Sequence, residues 1–187
     1  MNTNSLFTIE SWHTEQECTL AVTNIFKLVQ RDMVLSSEQH RASFSVLKVP
    51  DWINVMAFTK DQKVILVEQY RHGIQAPTLE LPGGVCDPGE HPLETSKREL
   101  LEETGYVSEE WFSLGKVSSN PAMQDNYTHS FLALNCEKIA ERKLDGNERI
   151  HVHLMPEAQF LDNVESGVIH HSLVAATTAK YLLHLRD

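Results

Sequence analysis

Between residues 73 and 92 the chain carries Gly73, Pro77, Pro82, Gly83, Gly84, Pro88, Gly89 and Pro92. So many breakers read as a long structured loop, and loops of this kind on compact domains are often functional. The next stretch is helical. Pro92 suits a first helical position and Gly105 a C-terminal cap, which predicts a helix over 92–104. On it Glu99, Glu102 and Glu103 stand at i, i+3 and i+4, so the three carboxylates share one face. Each like-charge pair at that spacing costs about 0.2–0.5 kcal/mol. Glu102 and Glu103 also lie in the last turn, where the helix dipole prefers cations. Such a helix is locally unfavourable alone, and a bound divalent cation reverses the sign. Carboxylate oxygens are hard ligands that suit Mg²⁺ or Mn²⁺. The plain alternative is a solvated acidic face, which Glu-rich helices commonly form.

The rest of the chain supplies a scaffold. Short extended segments are predicted at 24–29, 33–35 and 43–48, with the polar stretch 36–41 as a connection. Better strands are predicted at 53–58 and 64–69, joined by the polar turn 60–63, and then at 129–134 and 149–155. Two helices close the chain, at 156–166 and 173–185. Strands and helices mingle, which predicts an α/β fold with a mixed sheet covered by helices on both faces.

Charge and cysteine usage narrow the function. With 16 Lys+Arg against 26 Asp+Glu, the net charge is -10, the opposite of the balance that drives nucleic-acid binding. An acidic chain that handles phosphate esters needs local cationic help, from a metal or placed arginines. Cys18, Cys86 and Cys136 are scattered and lack metal-ligand spacing, which suits free thiols in a reducing cytoplasm and argues against structural zinc. The N-terminus has neither the basic start nor the apolar stretch of a signal peptide, and no apolar run reaches membrane-helix length. A cytoplasmic protein without a membrane partner is expected.

The spacing across loop and helix is specific. Gly84, five residues, Glu90, seven residues, then Arg98-Glu99-Leu100-x-Glu102-Glu103-x-Gly105-Tyr106 matches the Nudix box, with Tyr106 standing where an aliphatic residue is usual. The sequence therefore resembles the Nudix hydrolases, from about residue 50 to the end. The resemblance implies an α/β/α sandwich with a mixed sheet over 49–187, preceded by an antiparallel β extension over 1–48 that builds a homodimer. It implies that Glu99, Glu102 and Glu103, with the backbone carbonyl of Gly83, hold Mg²⁺, for which Mn²⁺ can substitute. Glu90 and Arg98 would brace the loop against the helix, and Glu90 is a further candidate for the metal cluster. Bound metal ions polarise a phosphoryl oxygen and lower the pKa of water.

Other segments point to a branch. Glu68-Gln-Tyr-Arg71, then Leu79-Glu-Leu-Pro-Gly-Gly84, is similar to the ADP-ribose and nucleoside-diphosphate-sugar pyrophosphatases. There the arginine matching Arg71 contacts the diphosphate and the glutamate matching Glu80 helps bind substrate, alongside Gly84. A guanidinium fork fits phosphate oxygens. Pro121, sixteen residues after Gly105, is the branch marker, although the chain has Pro-Ala-Met where Pro-Gly is frequent. That departure leaves room for GDP-mannose or ADP-glucose beside ADP-ribose. The branch's general base matches Glu148 best, with Asp145 as a rival. Trp12 could stack on a base, though a lone Trp is more often packing. His151, His153, His170 and His171 read as ordinary histidines. The rival readings are a Nudix hydrolase of capped RNA or dinucleoside polyphosphate, and a non-catalytic ADP-ribose sensor. The acidic balance argues against RNA, and the intact box argues against the sensor.

Overall fold

In chain order the elements are β1 (His13–Val22), β2 (Lys27–Leu35), β3 (His40–Lys48), β4 (Trp52–Thr59), β5 (Lys63–Arg71), β6 (Ala76–Glu80), β7 (Gly83–Val85), α1 (Pro92–Thr104), β8 (Tyr106–Val107), β9 (Glu110–Ser118), β10 (Tyr127–Lys138), β11 (His151–Pro156), α2 (Glu157–Glu165) and α3 (Ser172–His184). These come from a computed structural model that describes residues 8–143 and 149–186. The chain divides into two units, Met1–Val49 with Asn120–Asn126, and Pro50–Ser119 with Tyr127–Asp187.

The first unit is an antiparallel sheet in the order β1-β2-β3. Every residue of β1 is exposed, so the sequence offers no apolar alternation to mark it. Cross-strand charge holds it instead: Glu17 on β1 takes Arg31 on β2 at 2.7 Å and Lys48 on β3 at 3.0 Å. The predicted pieces at 24–29 and 33–35 form one strand, because Thr23 to Phe26 is a turn closed by the Thr23 hydroxyl. Segment 120–126 docks on β3, where the Leu47 amide donates to the Met123 carbonyl at 2.7 Å.

The second unit is built on a mixed sheet in the order β11-β5-β4-β10-β8, with β6 on β5, β7 on β4 and β9 on β10. β4 and β10 run parallel, and the other pairs antiparallel. Alternation along β4 sorts the core into two layers. Ile53, Val55 and Ala57 pack with Leu100 and Leu93 of α1. Met56 and Phe58 pack with Phe160 of α2 and with Val174 and Tyr181 of α3. Helices therefore cover both faces, as expected from the sequence.

Helix α1 has the predicted ends. The His91 ring accepts from the Leu93 amide, Pro92 opens the first turn, and Gly105 closes it at φ 79° with its amide on Leu101 O. A Cβ on Gly105 would run into the Ala140 carbonyl, so glycine is required there twice over. Strand β9, in contrast, has no apolar alternation that predicts it. It bulges where Gly115 adopts φ 86°, and the register skips Leu114; a bulge of this kind breaks the alternation that marks strands.

Candidate active site

Strand β7 brings Gly83 and Gly84 beside Asn54 and Ile53 of β4, directly before the loop into α1. The Gly83 amide donates to Glu103 Oε2 at 2.9 Å, and Glu103 is buried. A Cβ on Gly84 would overlap the Glu99 carboxylate, so this glycine makes room for Glu99. The loop and the acidic face are thus fitted to each other at two consecutive residues.

Arg98 organises the remaining carboxylates. Its Nε and Nη2 donate to the two oxygens of Glu90 at 3.1 and 3.0 Å. Its Nη1 reaches Glu99 Oε1 at 2.8 Å and Glu102 Oε2 at 3.1 Å. The Arg98 guanidinium holds the Glu90 carboxyl down at about 2, and the same carboxylates raise Arg98 above its ordinary value. Three carboxylates share this one guanidinium, and α1 has no basic residue in its last turn. The local charge is strongly negative.

A second group lies where β5 and β6 pair. Arg71 forks onto Glu80, Nε to Oε1 at 2.7 Å and Nη2 to Oε2 at 2.6 Å. Thr78 adds a hydroxyl donor to Oε1. Burial pushes the Glu80 carboxyl up, but the hydrogen bonds from Arg71 and Thr78 outweigh it and leave the group below its ordinary range. Glu80 lies three residues before Gly83, so one short stretch of chain joins the two groups.

The NUDIX domain family model matches residues 50–173. The chain belongs to the Nudix family. It is 32% identical over 131 residues to the ADP-ribose pyrophosphatase of Bacillus subtilis (strain 168), covering 70% of this chain and 71% of that protein. It is 32% identical over 128 residues to the methanol dehydrogenase activator of Bacillus methanolicus, covering 66% and 69%. A crystal structure of an ADP compounds hydrolase superposes with a TM-score of 0.83 at 20% identity, covering 96% of this chain and 97% of that one, which shows the fold.

Nudix hydrolases generally use divalent metal ions, so the donor set can be tested for fit. Among the described residues, no three acidic, histidine or cysteine side chains already converge at metal-binding distance. The carboxylates of Glu99 and Glu102 meet instead on one Arg98 nitrogen. Their chemistry fits a hard cation, as does the place made for Glu99 over Gly84.

The other residues named from the Nudix resemblance belong to the first unit or lie outside the described residues. Pro121 is exposed in a turn of the first unit, where the Asn120 carbonyl accepts from Met123 and Gln124 amides. Trp12 packs edge-on against Phe44 and His40 in that unit, with ring centroids 5.5 and 5.6 Å apart. Glu148 and Asp145 lie outside the described residues. Two histidines read as ordinary have acidic neighbours: His153 meets Glu68 at 2.7 Å, and His171 Nε2 lies 3.9 Å from Glu80 Oε2. The only signal for His171 in the sequence is its place just before a predicted helix, which marks a cap and not a neighbour of Glu80.

Proposed function

We propose that this protein is a Mg²⁺-dependent pyrophosphohydrolase of ADP-ribose or a related nucleoside diphosphate sugar such as GDP-mannose or ADP-glucose. Water adds to one phosphorus of the diphosphate, the bridging P–O bond breaks, and the products are a nucleoside monophosphate and a sugar phosphate. The observation that carries this reading is the acidic face of α1 seated on Gly83 and Gly84 of β7, with Glu99, Glu102 and the loop residue Glu90 on one guanidinium. The name of the Bacillus subtilis relative supports the substrate class.

Glu99, Glu102 and Glu103, with the carbonyl of Gly83, would hold Mg²⁺, and Mn²⁺ would serve in its place. When bound, the ion lowers the pKa of water and neutralises charge on the phosphoryl oxygens. Arg98 holds Glu99 and Glu102 in place and ties them to the loop through Glu90. Arg71, half-exposed and oriented by Glu80, would place the diphosphate, and Gly84 would help bind it. Glu148 is assigned the removal of the water proton by resemblance, with Asp145 as the alternative.

We assign the β1–β3 sheet to homodimer formation. Its outer strand is exposed at every position, and Leu20, Val22 and Phe44 expose apolar surface in the same sheet. The described residues contain no helix long and apolar enough to cross a membrane; a cytoplasmic setting is proposed on the cysteine usage.

The test is a panel of ADP-ribose, GDP-mannose, ADP-glucose, UDP-glucose, NADH, diadenosine polyphosphate and triphosphate-ended RNA, with and without Mg²⁺, products being read by mass. Magnesium-dependent release of a nucleoside monophosphate from a diphosphate sugar is expected. Cleavage of RNA or polyphosphate alone would overturn the substrate class, and no turnover at all would overturn the enzymatic reading.

A further inference from the structure

Helix α3 begins beside the Arg71–Glu80 pair. Its N-cap is His171, whose Nδ1 accepts a hydrogen bond from the Leu173 amide at 3.2 Å. A donor aimed at Nδ1 requires a lone pair there, so the neutral ring carries its proton on Nε2. That nitrogen lies 3.9 Å from Glu80 Oε2, the same oxygen that takes Arg71 Nη2 at 2.6 Å. The other oxygen, Oε1, is held by Arg71 Nε and by Thr78. Glu80 is 3% exposed, so its orientation is set by these neighbours and not by solvent.

We propose that His171 is a positioning residue for substrate binding: the cap of α3 fixes its tautomer, and its Nε2–H dipole, beside Glu80 but beyond direct hydrogen-bond distance, favours the carboxylate orientation that presents Arg71. The proposal rests on the reading of Arg71 given under Proposed function. Asparagine or serine would cap α3 as well, but neither carries a second nitrogen in reach of Glu80. Burial favours the neutral ring that this arrangement needs, against the pull of Glu80 and together with the repulsion from Arg71 and His170.

His171→Asn separates capping from positioning. It keeps a good cap, so the melting temperature should stay within a few degrees. The ¹H–¹⁵N signal of Arg71 Nε–H, measured without substrate, should move and exchange faster with water than in the wild type. With Mg²⁺ and ADP-ribose, KM should rise about fivefold while kcat stays within about twofold, the pattern of lost ground-state positioning. His171→Ser serves the same comparison if the asparagine variant does not fold. A folded variant with an unchanged Arg71 signal and unchanged KM overturns the proposal. If wild-type protein cleaves no diphosphate substrate, the functional reading falls separately, and the Arg71 signal alone decides whether His171 holds the pair.

Discussion

The Gly83 amide and the Glu103 carboxylate meet at 2.9 Å, which ties the start of β7 to the last turn of α1. A glutamine at 103 keeps an oxygen that can accept this bond but removes a charge from the negative end of the helix dipole. Glu103→Gln should therefore leave stability in chelator unchanged or raise it by up to about 1 kcal/mol. Turnover of ADP-ribose should fall at least about 100-fold, the scale of losing one electrostatic group at a transition state. Melting in EDTA and steady-state kinetics measure both, and wild-type turnover in the variant would remove Glu103 from the metal site.

Two adjacent glycines should respond differently to alanine. At Gly84 the new methyl meets the end of the Glu99 side chain, which can swing away. At Gly83 it meets the Ile53 carbonyl at 2.5 Å, which is backbone inside the sheet. Gly83→Ala is expected to cost about 1–3 kcal/mol of stability, as overpacking does. Gly84→Ala should cost under about 1 kcal/mol and still lose most activity, because Glu99 is displaced. Urea melts with parallel turnover assays separate the two effects, and a Gly84→Ala enzyme with full activity would show that the place of Glu99 does not matter.

What the sequence made legible was local. Pro92 and Gly105 mark α1 at both ends, and the i, i+3, i+4 spacing alone puts its glutamates on one face. Strands β4 and β5 are apolar enough to read directly, being buried on both sides. Strand β1 was invisible because cross-strand charge holds it, and β6 and β7 were hidden in a Gly/Pro-rich stretch that reads as loop. The same limit applied to the site. Arg98 lies in the box with its carboxylates, whereas His171 reaches Glu80 only because α3 begins beside β6, a tertiary fact that no local pattern carries.

Acid should act on the Arg98 cluster in a defined window. The Arg98 guanidinium beside Glu90 lowers its carboxyl from 4.5 to about 2. A depressed folded-state value means the contribution is fully present above the unfolded value and is lost as pH falls through the folded one. The stability advantage of wild type over Glu90→Gln should be constant above about pH 5 and shrink between about pH 4.5 and 2. Melting both proteins across that range tests it. An advantage that persists undiminished near pH 2 would mean that the charge on Glu90 is not what Arg98 stabilises.

Arg71 and Glu80 should be separable in stability and inseparable in binding. The Glu80 side chain is 5% exposed against 44% for Arg71, so removing the arginine strands a buried carboxylate, while removing both leaves a neutral site. Arg71→Met should cost about 1–3 kcal/mol, reduced from a fully buried pair by the exposure of the arginine. The double variant Arg71→Met with Glu80→Gln should regain at least about half of that loss, because the Thr78 hydroxyl can still donate to the amide oxygen. KM for ADP-ribose should stay raised by about tenfold or more in both, since neither has a guanidinium to fork onto phosphate. Denaturant melts and KM measurements on the single and double variants decide the matter. A double variant no more stable than Arg71→Met would show that the cost lies in lost packing of the arginine, and a restored KM would remove Arg71 from the substrate site.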